Sequence, residues 1–259
     1  MERTIRLAVS GTYSTGKTTT TEAISIATGI PRTHALTARD ILHELLPGRR
    51  LDQLSASELM VIGFRRMEER IHHEAAAMES HGSFVADGSV IHEWVYGHVR
   101  MRVGINPQAN RASRIAREIA GIPFKPMIRQ TMDAWGTVVR NRARNHYDAF
   151  VHLPVETHIT QDGHRPVSEE FRKLGDRLLL ETVADIGIPH HVVRGTVEER
   201  VGRIAEIFDL PLVMPLDEAV KLAVDSVREQ RESLARRASE QEAANPVPRR
   251  RRLKYAIRF

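Results

Sequence analysis

Cysteine is absent from the 259-residue chain. Disulfides, cysteine-ligated zinc and thiol catalysis are thereby excluded, and a reducing, cytoplasmic setting is expected. No apolar run approaches the roughly 20 residues that a membrane-spanning helix needs, so no membrane partner is expected. The first ten residues alternate as a strand (Ile5, Leu7, Val9) and lack the layout of a secretory leader. Histidines are present, but no H-E-x-x-H spacing organises them, and the adjacent His72 and His73 would point to different faces of a helix.

What is present is ordinary for a folded protein. Apolar residues make up 41% and charged residues 27%, enough for a core and a hydrated surface. The net charge is +5, yet its distribution argues against a nucleic-acid-binding body. After Glu242 there are no acids and six bases: Arg249, Arg250, Arg251, Arg252, Lys254 and Arg258. Removing those six charges from the net +5 leaves −1 for the remainder. The basic run lacks an interleaved aromatic platform. It reads as an accessory, flexible terminus that can dock on a protein partner or a second subunit.

Hydrophobic periodicity predicts alternating strands and helices. Strands are expected at Ile5–Ser10, Ser83–Ala86, Ala149–Leu153 and His190–Val193. Helices are expected from about Lys17 to Ala27, over Arg39–Leu46, and from the capping box Ser55–Glu58 to His81. Residues 89–146 read as mostly helical, with breaks at Gly104–Pro107 and Gly121–Pro126. Ser168 and a second capping box, Thr196–Glu199, open two further helices. Leu216–Ala244 reads as one polar helix with a thin stripe of Ala219, Leu222, Ala223, Val227 and Leu234. The expected fold is α/β, with a parallel sheet of about five strands and helices on both faces. Residues 1–214 would form one domain, with a helical insertion or lid at about 98–146. Residues 215–259 would be the C-terminal helix and basic tail.

The chemistry-bearing motif is Gly11-Thr12-Tyr13-Ser14-Thr15-Gly16-Lys17-Thr18, which satisfies G-x-x-x-x-G-K-[ST] between a strand and a helix. The glycines permit a tight turn whose amides face phosphate oxygens, and the helix N-terminus adds partial positive charge. Gly11, Tyr13, Ser14, Thr15, Gly16, Lys17, Thr18 and Thr19 are therefore the predicted nucleotide contacts. Lys17 would bridge the β- and γ-phosphates, and the Thr18 hydroxyl would hold Mg²⁺. A GTPase would carry an Asn-Lys-x-Asp guanine reader; Asn145-His146-Tyr147-Asp148 lacks the lysine and precedes its strand. A motor ATPase would carry four apolar residues and Asp-Glu; Phe84-Val85-Ala86-Asp87-Gly88 has no Glu. A P-loop NTPase fold is thus expected, with residues 1–214 as a P-loop kinase-like domain, and ATP and a small-molecule kinase are favoured.

Asp87 ends a strand where open α/β sheets bind ligands. It can orient an acceptor hydroxyl, take its proton or hold a Mg²⁺ water, or it can cap the helix that follows. Arg39 suits an anionic acceptor group or an ordinary surface position. His34 and His92 either flank the acceptor or are hydrogen-bonded structural residues. Trp94 and Tyr96 read better as core than as a stacking platform. Arg111, Arg114 and Arg117, and Arg140, Arg142 and Arg144, read as solvated helix faces.

Beyond the P-loop, three stretches carry a resemblance. They are Ala38-Arg39-Asp40; Asp87 followed by Trp94, Tyr96 and Gly97; and Tyr147-Asp148 with Leu153-Pro154 and Gln161-Asp162-Gly163-His164-Arg165. Together the four resemble the ribosylnicotinamide kinase-like P-loop family, over about residues 3–208. The resemblance implies that Arg39 lies near the acceptor and that Arg165 belongs to a lid closing over the transferring phosphoryl group. Departures include a lone Asp87 where that family often has Asp-x-Asp, so nicotinamide riboside itself is not carried over.

The expectation is an ATP- and Mg²⁺-dependent kinase acting on a hydroxyl of a nucleoside- or sugar-like metabolite, with Lys17, Asp87 and Arg165 as its catalytic residues. Substrate contacts would come from Arg39, Asp87, His34 and His92, and metal contacts from Thr18 and Asp87. The competing expectation is a P-loop ATPase acting as a regulatory switch that contacts nucleic acid or a protein through its basic tail. Lys17→Ala should impair ATP use. Asp87→Asn should spare ATP binding but lower transfer by about 10² to 10⁴. Equilibrium binding and single-turnover rates on both variants check this, and full transfer by the Asp87 variant would remove that carboxylate from the chemistry.

Overall fold

Strands β1 (Arg6–Ser10), β2 (Arg32–Thr33), β3 (Phe84–Asp87), β4 (Ala149–His152) and β5 (His190–Val192) pair in the order β2-β3-β1-β4-β5. Every pairing is parallel. This is a computed structural model, and it describes residues 4–46, 49, 54–103, 121–156 and 168–244. Parallel neighbours require crossover connections, and helices supply them. They are α1 (Lys17–Thr28), α2 (Ala38–Leu45), α3 (Ala56–His81), α4 (Val90–Val103), α5 (Lys125–His146), α6 (Glu169–Asp185), α7 (Val197–Phe208) and α8 (Leu216–Ala244). A 3₁₀ turn, Ile122–Phe124, leads into α5.

Strand alternation divides the core in two, as a sheet covered on both faces demands. Ala8, Phe84, Ala86 and Phe150 point to one face, where α3, α4, α5 and α6 pack. Leu7, Val9, Val85, Ala149 and Val151 point to the other, under α1, α7 and α8. The middle strand β1 is thereby sealed on both sides and delivers Gly11 at a fixed point between β3 and β4.

The two predicted capping boxes form at Ser55/Glu58 and Thr196/Glu199, and a third joins Thr37 to Asp40. Strand β2 was not predicted. Its two residues are too few for an alternating signal; Val85 N–H donating to Pro31 O at 3.0 Å starts the pairing. The α8 stripe is narrower than expected. Ala219, Ala223 and Val227 are buried, whereas Leu222 sits at the edge of that face and is 45% exposed. Glu22 of α1 ties this helix down by accepting from Ser226 Oγ at 2.8 Å and pairing with Arg32 at 2.8 Å.

The arginines of α5 divide: Arg144 is exposed and Arg140 half-buried, whereas Arg142 turns toward the core. Arg142 pairs at 3.2 Å with Glu74, a buried carboxylate on α3 that also accepts from Tyr147 Oη at 2.5 Å. A buried carboxylate requires such partners. Arg144 donates to Ile186 O at 3.2 Å, and Arg140 lies over the Trp94 ring at 5.1 Å. Arg111, Arg114 and Arg117 lie outside the described residues. Among those described, no helix is long and apolar enough to cross a membrane.

Three helical glycines seat large side chains where α3, α4 and α5 cross. A methyl group at Gly63 would stand 2.7 Å from Trp135, one at Gly97 2.9 Å from Met132, and one at Gly136 2.8 Å from Trp94 Nε1. Trp94 is itself pinned there, donating to Met132 O at 2.8 Å. Gly→Ala within a helix ordinarily stabilises by about 1 kcal/mol. Here the sign should reverse. Gly136→Ala is expected to destabilise by about 1–3 kcal/mol through overpacking, read as a lower urea midpoint.

Candidate active site

The turn between β1 and α1 has the backbone that its sequence demands. Gly11, Ser14 and Gly16 have φ of 143°, 60° and 86°. Gly11 is required twice over: a Cβ there would stand 2.5 Å from Leu153 O and 2.7 Å from Thr15 Oγ1. Ser14 holds a left-handed conformation uncommon for a non-glycine residue. Gly16 caps α1 without a side-chain acceptor, and the first turn contains no acid. The amides there keep their capacity for an anion.

Side chains from within and beyond the loop hold its carbonyls. Tyr96 Oη donates to Gly11 O at 3.4 Å, and Thr15 Oγ1 and Lys17 Nζ donate to Thr12 O at 3.1 and 2.6 Å. Arg172 Nε donates to Tyr13 O at 3.0 Å, and Arg200 Nη1 donates to Thr15 O at 2.7 Å. In a trans peptide the carbonyl and the next N–H point in opposite directions. The amides of Thr12, Tyr13, Ser14 and Gly16 therefore point to the side of their peptide planes opposite the engaged carbonyls.

Arg172 is fully buried on α6 and pairs with Glu169 at 3.2 Å. Arg200, on α7, pairs with Glu156 at 2.7 Å. Neither arginine was anticipated from the sequence. Both lie far along the chain from the carbonyls they hold, and no local spacing marks them. The nearest signal was an apolar helical pattern interrupted by a charge at a core-facing position.

The second wall belongs to the carboxyl ends of β3 and β2. Asp87 pairs in register with Val9, two residues before Gly11, at the carboxyl end of β3. Among the described residues that carboxylate accepts no hydrogen bond, whereas its main-chain carbonyl accepts from Arg70 Nη1 at 2.9 Å. Thr33 pairs with Ala86, which brings His34 level with Asp87. The His34 carbonyl is in short contact with His73 Nδ1, and the two rings lie 5.5 Å apart. Burial, then Arg32 and His73, lower the His34 pKa. His92 is in the first turn of α4. Burial, then Lys17, Arg70, His152 and Arg66, push its pKa well below the usual imidazole range, so it is neutral.

Between these walls lies a charged group that the sequence did not reveal. Arg66 donates to Glu93 at 2.8 Å and to Leu36 O at 3.0 Å, and Arg70 stands 3.9 Å from the same carboxylate. Tyr96 does not form an open platform; it stacks on Tyr13 at 4.8 Å inside the core. Trp94 is core, as expected.

Of the remaining candidates, Thr18 and Thr19 lie in the first turn of α1. Arg39 is in α2, with its side chain outside the described residues, and Asp40 beside it serves the Thr37 cap. Arg165 and the whole of Gln161–Arg165 lie outside the described residues. Asp148 is not near the site: it pairs with Arg6 at 2.6 Å, at the opposite ends of β1 and β4.

The profile of the family AAA_28, described as an AAA domain, matches residues 6–200. The chain belongs to this family. The AAA_28 match spans the sheet and phosphate loop and stops before α8. No curated protein matches the chain. Among solved structures, deoxyadenosine kinase from M. mycoides with bound dATP is similar, with a TM-score of 0.54 and 14% identity over 79% of this chain and 100% of that one. The same enzyme with bound dCTP gives a TM-score of 0.51 and 13% identity over 79% and 99%. NadR in complex with NAD and AMP-PNP gives 0.50 and 15% identity over 82% of this chain and 51% of that one. At these identities the likeness shows the fold: this AAA_28 domain has the five-stranded parallel α/β fold of P-loop kinases.

Arg200→Met would leave Thr15 O and one side of Glu156 without their donor. It should weaken binding of an ATP analogue about tenfold, with Arg200→Lys intermediate. Titration calorimetry checks this; unchanged affinity would show that Arg200 does not position the loop.

Proposed function

We propose that this protein is an ATP-dependent small-molecule kinase that transfers the γ-phosphoryl group to a hydroxyl of a nucleoside- or sugar-like metabolite. The observation that carries the reading is the juxtaposition of a phosphate loop, its carbonyls held by side chains, with Asp87, whose carboxylate accepts no hydrogen bond among the described residues. In this reading Gly11, Tyr13, Ser14, Thr15, Gly16, Lys17, Thr18 and Thr19 bind the donor's phosphates. The acceptor oxygen attacks the γ-phosphorus, the bond to the β–γ bridging oxygen breaks, and the acceptor proton passes to Asp87. Lys17 offsets the charge on the departing side. Arg165 acts as the lid arginine, and His34 and Arg39 contact the acceptor.

The Thr18 hydroxyl and Asp87 carboxylate are hard oxygen donors of the kind Mg²⁺ uses, directly or through water. When bound, Mg²⁺ neutralises charge on the β- and γ-oxygens. Residues 1–214 form the catalytic unit in this reading, with 98–146 as its insertion and 215–259 as an appendage. ATP is preferred as donor because the sequence carries no guanine reader. A kinase is preferred to a motor because the strand ending at Asp87 continues into Gly88 and not Glu. Against a panel of nucleosides and sugars, Mg-ATP should yield a phosphorylated acceptor detectable by mass spectrometry. Slow ATP hydrolysis indifferent to every acceptor would overturn the reading in favour of an ATPase switch.

A further inference from the structure

Gly88, Ser89 and His92 make a buried knot between the end of β3 and the base of the phosphate loop. Ser89 is fully buried and His92 is 2% exposed. The Ser89 amide donates to His92 Nδ1 at 2.9 Å, and Ser89 Oγ lies 3.0 Å from the same nitrogen. An amide N–H can only donate, so Nδ1 carries the lone pair and the neutral ring carries its proton on Nε2. That Nε2 is buried and has no hydrogen-bond partner among the described residues. Nδ1 alone would suffice for a helix cap, so the cap does not account for a second polar atom buried without an acceptor.

The ring's position suggests what the acceptor is. Gly88 N–H donates to Val9 O at 2.9 Å, stitching the knot to β1 just before the loop. One helical turn on, Tyr96 meets the His92 ring edge-on at 6.0 Å and donates to Gly11 O at 3.4 Å. A side chain at Gly88 would meet Arg70 Nη2 at 3.2 Å and the His92 ring at 3.6 Å. Arg70 and His92 therefore both crowd the Gly88 turn. His152, the other imidazole here, is already engaged by Ser10 and Asp176 at 3.3 and 3.1 Å. Lys17, Arg70 and Arg66 are the cations that act on the His92 ring. A neutral N–H donor in that company is complementary to an anionic oxygen.

We propose that His92 Nε2–H is a donor to a terminal phosphoryl oxygen of the bound nucleoside triphosphate, acting with Lys17. This rests on the kinase reading and gives His92 a donor-side place, where the sequence suggested an acceptor contact.

Two substitutions divide the ring's two nitrogens. In His92→Asn the amide oxygen takes the place of Nδ1 toward Ser89, and nothing reaches the Nε2 position. In His92→Gln a donor reaches the Nε2 position and the cap is lost. Calorimetric titration with Mg-AMP-PNP and Mg-ADP should show His92→Asn losing about tenfold in affinity for the triphosphate, and ADP binding within about twofold of wild type. His92→Gln should recover part of the difference. The ratio of the two affinities is internal to each protein, so partial unfolding does not imitate the result. Without any variant, the His92 Nε2 proton should shift in ¹H–¹⁵N spectra on adding AMP-PNP but not ADP. Equal losses for both nucleotides, or a Gln variant weaker than Asn with an unmoved proton signal, would reduce His92 to a cap and overturn the proposal. Wild-type protein that binds neither nucleotide would overturn the kinase reading as well.

Discussion

The orientation of a few peptide planes at the end of β1 governs the rest of this molecule. A loop that binds phosphate through amides has to turn its carbonyls outward, and those carbonyls need donors. Tyr96, Lys17, Thr15, Arg172 and Arg200 provide them. Burying Arg172 and Arg200 is costly unless each is also paired, and Glu169 and Glu156 pair them. The helices α6 and α7 thus serve the loop as well as the core. The packing of Gly175 against Thr12 brings α6 close enough for Arg172 to reach.

The same logic shapes the opposite wall. Glu93 and Arg70 are nearly inaccessible, and Arg66 joins them from α3. Opposite charges so placed fix the approach of α3 to α4 and limit what can occupy the space beside Asp87. The electrostatic character there is mixed, with carboxylates and guanidinium groups side by side. Such a lining favours a polar, hydrogen-bonding occupant over an apolar one.

Much of this architecture is legible in the sequence, because local rules govern it. The P-loop spacing, the Ser55 and Thr196 capping boxes, the Gly29 and Gly82 helix ends and the strand ending at Asp87 all depend on neighbours within a few residues. What escaped was either too short or too distant. Strand β2 has two residues and no period. Arg172 and Arg200 act on carbonyls 159 and 185 positions away. Arg142 of α5 looks like part of a hydrated face until the buried Glu74 is seen opposite it.

Lys17 is folded onto the carbonyl of Thr12 at 2.6 Å. The loop in this form is closed on itself, with its central cation resting on its own main chain. An arriving phosphate would therefore exchange one strong contact for another at this position, and the gain is the difference between them. The heat released on binding should be smaller than the number of new contacts suggests. In return, the turn has little ordering left to do when its ligand arrives, which lowers the entropic cost of binding.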